Sequence, residues 1–555
     1  MTRFLALALL MCAALSWPPS PVGAQSPAAR VDSLLAFATD ATPGCAVAAI
    51  RNDAVEYARG YGMADLEHDV PITPPTPFYM ASVSKQFAAA AVSLLVLDGK
   101  LSLNDDVRTH VPELPTFGSP ITIRHLLTHT SGLRDYLTLF SMRGMSDFPI
   151  TNADFLETLS AQRELNFPSG TEYSYSNTGY VLLSIVVERV SGKSLRDFTQ
   201  ERIFAPLGMT STRFRDDHNM LIRGRALAYT PSSGGGYTLS VPHFDVVGDG
   251  GLFSTVEDMA RWEANFWNPR VGGAEWLKLM DLRGRLDDGT PLTYGMGLSH
   301  GEYRGEPIVE HGGGLGGYNT YLMRFPKQRF SVVVLCNSQT ASASRLAHGV
   351  ADVYLHDALG PRSSAAVAMS ANSTPVAGRA GAEAFRRYAG VFIDDRTALV
   401  GRVLVREGKL YFSTGGTGGQ ELVPLGAGRF QVSGSLLVIS FSSGADTLRV
   451  EVPSGPPLVL HRVTPPVTHQ DLGSYVGAFT SGELGVTWRI AASNTALVLR
   501  RTRRDPVELE RVSKDAFSAP GLFVRFTRDE RGRVEGMRVS AGERVRRIRF
   551  DRQTQ

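Results

Sequence analysis

Residues 79–88 read "YMASVSKQFA" and set Lys85 three positions after Ser82. If a helix begins here, positions i and i+3 share one face, which brings the lysine amine beside the serine hydroxyl. Burial disfavours an ammonium, so a lysine desolvated there can act as a base toward the serine. The first turn of a helix, with its free N–H groups and positive dipole end, also favours negative charge developing on attack. That is the chemistry of nucleophilic acyl transfer. The bland alternative is a serine cap with a lysine reaching solvent, and only the rest of the chain can decide between them.

Two further stretches offer partners. "FPSGTEYSYSNTGY" (167–180) carries Tyr175 and Asn177 just before an apolar run. "IVEHGGGLGGY" (308–318) carries His311 on an expected strand, followed by Gly313 and Gly314, where missing side chains let a substrate lie against the backbone.

These residues need a scaffold. The stretch after Ser82, "KQFAAAAVSLLVLDG", is apolar on almost every face and should be a buried central helix. "GCAVAAIRNDAVEYARGYG" reads as two strands joined by a tight Asn52-Asp53 turn, and helical patterns, including "GYVLLSIVVERVSG", dominate to about residue 280. Strands return with "EPIVEHGGG", "GYNTYLMRFP" and "FSVVVLCN", followed by a helical "SASRLAHGVADVYLHDAL". Strands at both ends with helices between predict one α+β domain, residues 28–360, whose sheet is completed by its last strands.

An Ala/Ser/Pro-rich linker is expected at 361–382, followed by short strands and glycine-marked turns. "YAGVF" (388–392) recurs as "YVGAF" (475–479), and at the same offset Phe430 matches Phe517 and Gly434 matches Gly521. This predicts a duplicated unit, 383–465 and 466–555, forming two small antiparallel β-barrel-like repeats in which Tyr-x-Gly-x-Phe is a core motif.

Composition excludes several classes. A net charge of +3 over 555 residues does not suggest a nucleic-acid binder. The arginines of "LRRTRRD" and "ERVRRIRF" alternate with apolar residues and read as solvated strand faces. The start, "MTRFLALALLMCAALSWPPSPVGAQS", has the form of a secretory signal cut after Ala24, which predicts export to the periplasm or outside the cell. No later run is long enough to span a membrane. After the signal, only Cys45 and Cys336 remain. They open the first and close the last strand of the expected sheet, so a disulfide forms if those strands are neighbours. Two small buried thiols are the preferred reading.

No metal or cofactor is implied. His125 and His129 stand four apart but lack the accompanying Glu of a zinc site, so packing or local hydrogen bonding is preferred. "HGGGLGG" is followed by a strand where a dinucleotide-binding unit needs a helix, and "SGKS" at 191 lacks the upstream glycine of a phosphate loop. There is no Gly-x-Ser-x-Gly elbow.

The order Ser-x-x-Lys, Tyr-x-Asn, then a basic residue with glycines on a late strand resembles the penicillin-recognising serine hydrolases over roughly residues 28–360. "HLLTHTSGL" (125–133), "FAPLGMTSTRF" (204–214), "GGLFSTVEDMARW" (250–262) and "YGMGL" (294–298) also look like that family. The resemblance implies a β-lactamase-like fold with Ser82 as nucleophile of an acyl-enzyme. Lys85 and Tyr175 would share the proton, and Asn177 would bind the substrate amide or the lysine. His311 and Gly313 would contact substrate, and the N–H groups of Ser82 and Gly314 would form the oxyanion hole. Where β-lactamases and D-Ala carboxypeptidases usually have Lys-Thr-Gly or Lys-Ser-Gly, this chain has His311, a weaker carboxylate anchor near neutral pH. That form resembles D-aminopeptidases and several related esterases, and the two C-terminal repeats resemble the layout of a D-aminopeptidase. A D-aminopeptidase-like enzyme acting on a small-molecule or peptide substrate is therefore the expected function. The alternatives are a carboxylesterase, a weak β-lactamase or D-Ala-D-Ala carboxypeptidase, and a non-catalytic wall-peptide binder. The repeats are expected to cover the cleft rather than to form a separate tethered module.

Overall fold

The computed structural model describes residues 25–361 and 385–553, apart from 146–147, 241, 395, 415–418, 434–436, 452–456, 465–470 and 494–495. The expected signal segment, nearly all of the expected linker and Gly434 of the repeat lie outside the described residues.

Strand β1 (Cys45–Arg51) shows no polar alternation because both of its faces are covered. Cys45, Val47 and Ala49 face one apolar cluster, while Ala46, Ala48 and Ile50 face another. β1 is followed by β2 (Ala54–Tyr61), β3 (Tyr294–Gly295), β4 (Leu298–Tyr303), β5 (Glu306–Leu315), β6 (Tyr318–Phe325) and β7 (Phe330–Cys336). They form one antiparallel sheet in the order β3-β4-β5-β6-β7-β1-β2, so the last strands do complete a sheet begun by the first. Helices α1 (Pro27–Leu34) and α5 (Ala343–Tyr354) cover one face. The other packs on a helical body centred on α2 (Lys85–Leu97), with α3 (Tyr136–Arg143) and α4 (Asn177–Ser191). Helix α2 is buried over nearly its whole length, as its four alanines require.

β1 and β7 are antiparallel neighbours, with Cys45 directly opposite Cys336 and their Cα atoms 4.0 Å apart. The two are disulfide-bonded, which corrects the preference for separate thiols. The bond closes a loop with a sequence separation of 291 residues. A Cys45→Ala/Cys336→Ala protein should therefore lose about 2–4 kcal/mol of unfolding free energy. Urea denaturation checks this, and an unchanged midpoint and slope would show that the sheet alone fixes this pair.

Each C-terminal repeat is a closed eight-stranded barrel, the first from Gly390 to Val463 and the second from Gly477 to Arg552. The repeated residues occupy equivalent core places. Tyr388 meets Phe430 edge-on with centroids 5.3 Å apart, and Tyr475 meets Phe517 edge-on at 5.2 Å.

The second barrel is docked on the catalytic domain. Leu139 and Met142 of α3 are buried in the same apolar cluster as Leu472, Leu484 and Leu497. Arg134, at 1% side-chain exposure, pairs with Glu483. Arg546 pairs with Glu172 at 3.0 Å, and Arg396 of the first barrel reaches the same carboxylate. The reading of the C-terminal arginines as solvated holds for Arg500, Arg503, Arg547 and Arg549, which are exposed, and is corrected for Arg546. Arg546 is buried because this edge of the barrel meets the catalytic domain there, and the exposed Arg547 donates to the Asn166 carbonyl at 2.9 Å.

Candidate active site

Ser82 lies in a 3-10 turn, Ala81–Ser84, that runs into α2 with Lys85 as its first residue. Ser82 thus precedes the α-helix instead of sitting in its first turn. Ala81 holds a left-handed φ of 47°, a strained conformation that the surroundings must enforce. They do so by close backbone approach. A side chain on Gly313 would meet the Met80 carbonyl at 2.4 Å and the Thr320 hydroxyl at 2.5 Å, so β5 can press on the turn only if Gly stands there. Thr320 Oγ1 also donates to the Met80 carbonyl at 2.8 Å. On the far side Gly297, of the "YGMGL" stretch, lies against the Lys85–Gln86 backbone and has a left-handed φ of 75°.

Lys85 is fully buried and makes three hydrogen bonds: to Ser82 Oγ at 3.0 Å, Asn177 Oδ1 at 2.8 Å and the Asp249 carbonyl at 2.8 Å. The last two partners can only accept. The Asn177 amide is fixed in this sense because its Nδ2 donates to Asp135 Oδ2 at 2.9 Å. With two of its positions on these carbonyl oxygens, the amine directs its third at the Ser82 hydroxyl. The arrangement is that of a base aimed at a nucleophile.

Tyr175 lies beside this pair, with Lys85 Nζ 4.9 Å from its ring centroid. Its ring packs at a tilt against His129, with centroids 4.2 Å apart. His129 Nδ1 accepts the Ser176 N–H at 3.2 Å, and burial, followed by the Lys85 charge, holds the imidazole neutral. This fits the local role expected of His129. His125 likewise accepts the Thr122 N–H and caps a short helix, Ile123–Leu127.

A cleft of about 440 Å³ opens over Ser82, and Tyr175, Asn177, Asp249, His311, Gly312 and Gly314 contribute to its wall. Gly313, expected in the substrate-binding set, is not part of that wall. Gly313 is spent on the Met80–Ala81 contact, whereas a side chain on Gly312 would point to the Tyr321 ring on the other face of the sheet, so Gly312 lines the cleft through its backbone. His311 is present, but both of its nitrogens are engaged. Nδ1 donates to the Gly312 carbonyl at 2.7 Å, and Nε2 accepts the Tyr294 hydroxyl at 3.0 Å. Burial, reinforced by Lys85, lowers its pKa to about 3, so it carries no charge at neutral pH.

Sequence reading missed four contributors. Asp135 orients Asn177 through both its side-chain amide and its backbone N–H. Asp249 supplies a carbonyl to Lys85, and its carboxyl, pushed up to about 6 by burial, accepts from Tyr136 at 3.1 Å. Gly312 lines the cleft in place of Gly313. Arg544, from the second barrel, also forms part of the wall.

The Beta-lactamase family pattern matches residues 29–355, the whole of the domain that builds this cleft. The chain belongs to the Beta-lactamase family. It is 30% identical to the D-aminopeptidase of Cereibacter sphaeroides over 521 residues, covering 90% of this chain and 93% of that protein, barrels included. Among solved structures it is similar to the octameric penicillin-binding protein homologue from Pyrococcus abyssi, with a TM-score of 0.56 at 24% identity over 78% of this chain and 99% of that one. It is also similar to the D-amino acid amidase from Ochrobactrum anthropi, with a TM-score of 0.51 at 24% identity over 60% and 99%. These two show the fold. The family and the full-length relative make the chain a serine hydrolase of D-aminopeptidase type.

Proposed function

We propose that the chain is an exported peptidase that releases a D-amino acid from the N-terminus of a short peptide or amide through an acyl-enzyme on Ser82. The observation that carries the reading is the Lys85 amine held by two obligate acceptors beside Ser82, beneath a cleft partly walled by the second barrel. Ser82 Oγ attacks the scissile carbonyl as Lys85 takes its proton. The N–H groups of Ser82 and Gly314 receive the oxyanion. The proton passes through Lys85 and Tyr175 to the departing amine, and Tyr175 then activates the water that releases the acyl group. Asn177, whose amide is engaged with Lys85 and Asp135, orients the base rather than the substrate. His311 and Gly312 shape the wall. The Cys45–Cys336 bond and the N-terminal apolar run support an oxidising, exported location. Among the described residues, no helix is long and apolar enough to cross a membrane.

A panel of D- and L-amino-acid p-nitroanilides, p-nitrophenyl esters and a chromogenic cephalosporin tests the reading. D-anilides should be turned over far faster than their L-forms; equal rates, or activity on esters alone, would replace the peptidase by an esterase. The cephalosporin should be among the poorest substrates, because His311 is neutral and both of its nitrogens are occupied. Efficient cephalosporin hydrolysis would refute that argument about the third motif.

A further inference from the structure

Catalysis as described leaves one cation in the cleft unused. Arg544 sits at the end of a 3-10 turn, Gly542–Arg544, that joins two strands of the second barrel, and it forms part of the cleft wall. Its backbone is tied down, since its carbonyl accepts the Asp135 N–H at 3.1 Å and Asn166 Nδ2 at 2.8 Å. Its guanidinium lies 5.2 Å from the Tyr175 ring centroid. Among the described residues no carboxylate comes within ion-pair distance of it, the adjacent Glu543 included. The neighbouring arginines behave differently: Arg546 is paired with Glu172, and Arg538 with Glu164. The carboxylate in the cleft wall, Asp249, is bound by Tyr136 instead. An unpaired guanidinium held beside a reaction centre has five donors in a planar fork that matches a carboxylate.

Its place sets the side of the substrate that it can reach. Lys85 Nζ lies 4.9 Å and Arg544 Cζ 5.2 Å from the same ring, so the two cations are within about 10 Å of each other. Tyr175 serves the leaving group, so an anion on Arg544 belongs to the leaving group. One residue of extended chain spans about 3.5 Å, which fits a carboxylate one or two residues beyond the scissile bond. We infer that Arg544 forms a carboxylate subsite, and that the preferred substrates are di- or tripeptides with a free C-terminus rather than neutral amides. This rests on the peptidase reading above. It also relocates the anionic anchor that His311 cannot provide from the sheet to the barrel.

The test compares kcat/KM for D-alanylglycine and D-alanylglycinamide in the full chain and in its Arg544→Gln and Arg544→Lys variants. The full chain should prefer the free carboxylate by about ten- to a hundredfold, mostly through KM. That ratio should fall to near one in Arg544→Gln and be partly kept in Arg544→Lys. No preference in the full chain, or an equal loss on both substrates in Arg544→Gln, would reduce Arg544 to a packing residue against Tyr175 and overturn the inference. Calorimetric binding of both peptides to the Ser82→Ala protein reads the same ratio without turnover. If neither peptide is hydrolysed, the peptidase reading fails, while this binding ratio still decides for or against the subsite.

Discussion

Ser82→Ala is expected to lower kcat by about 10³-fold or more, and Lys85→Met to lower it by a similar factor, with the double variant no worse than either alone. The reason is geometric. Ser82 is half-buried, and its hydroxyl has Lys85 as its hydrogen-bond partner, so removing it takes away the nucleophile and little else. Removing the amine leaves Ser82 without a base while Asn177 and the Asp249 carbonyl stay in place with nothing to orient. Initial rates with circular dichroism on the same samples check this. Folded Ser82→Ala protein that retains most of its activity would end the assignment.

The second large effect is on stability. Arg134 and Glu483 form an ion pair between the catalytic domain and the second barrel, with side-chain exposures of 1% and 6%. Glu483→Leu leaves a buried guanidinium whose hydrogen-bond partners, the Gln162 side chain and the Arg546 carbonyl, are neutral, with only the exposed Glu164 carboxylate, 3.9 Å away, to pair it among the described residues. Breaking such a pair costs about 3–5 kcal/mol, whereas replacing both partners by apolar groups is often nearly neutral. Thermal unfolding should therefore show a large fall in Tm for Glu483→Leu and a recovery of most of it in Arg134→Met/Glu483→Leu. Equal Tm values for all three proteins would mean that the barrel contributes nothing through this contact. The same burial bears on the covering role of the barrels. A chain cut near residue 362 would expose Leu139 and Met142, remove Glu483 from Arg134 and remove both arginines from Glu172, so the barrels act as an integral wall rather than a removable lid.

What could be read from sequence was whatever local spacing controls. Ser82 and Lys85 share a face because they are three apart, and Tyr175 and Asn177 are set by the entry to an apolar helix. The barrels were legible because Tyr388 and Tyr475 recur with their phenylalanines at a constant offset. What escaped depends on tertiary register. Which glycine lies against the Met80–Ala81 turn and which line the cleft depends on how β5 approaches that turn, and a run of three glycines does not mark it. The Asp249 contribution to Lys85 is a main-chain carbonyl, which any residue type would supply. Arg544 is one arginine in a basic, alternating stretch, and only barrel closure and docking bring it more than 300 residues back to Tyr175. The disulfide lay between these cases: the cysteine positions were visible, but the β1–β7 pairing that joins them was only one of two open readings.

The central claim is that Ser82 forms the covalent acyl-enzyme because Lys85 activates it. It is tested most directly by reacting the protein with a fluorophosphonate and mapping the adduct by peptide mass spectrometry. The account predicts one adduct per chain, on Ser82, formed rapidly in the wild-type protein and barely at all in Lys85→Met. An adduct on another serine, or labelling of Ser82 at the same rate without Lys85, would contradict it.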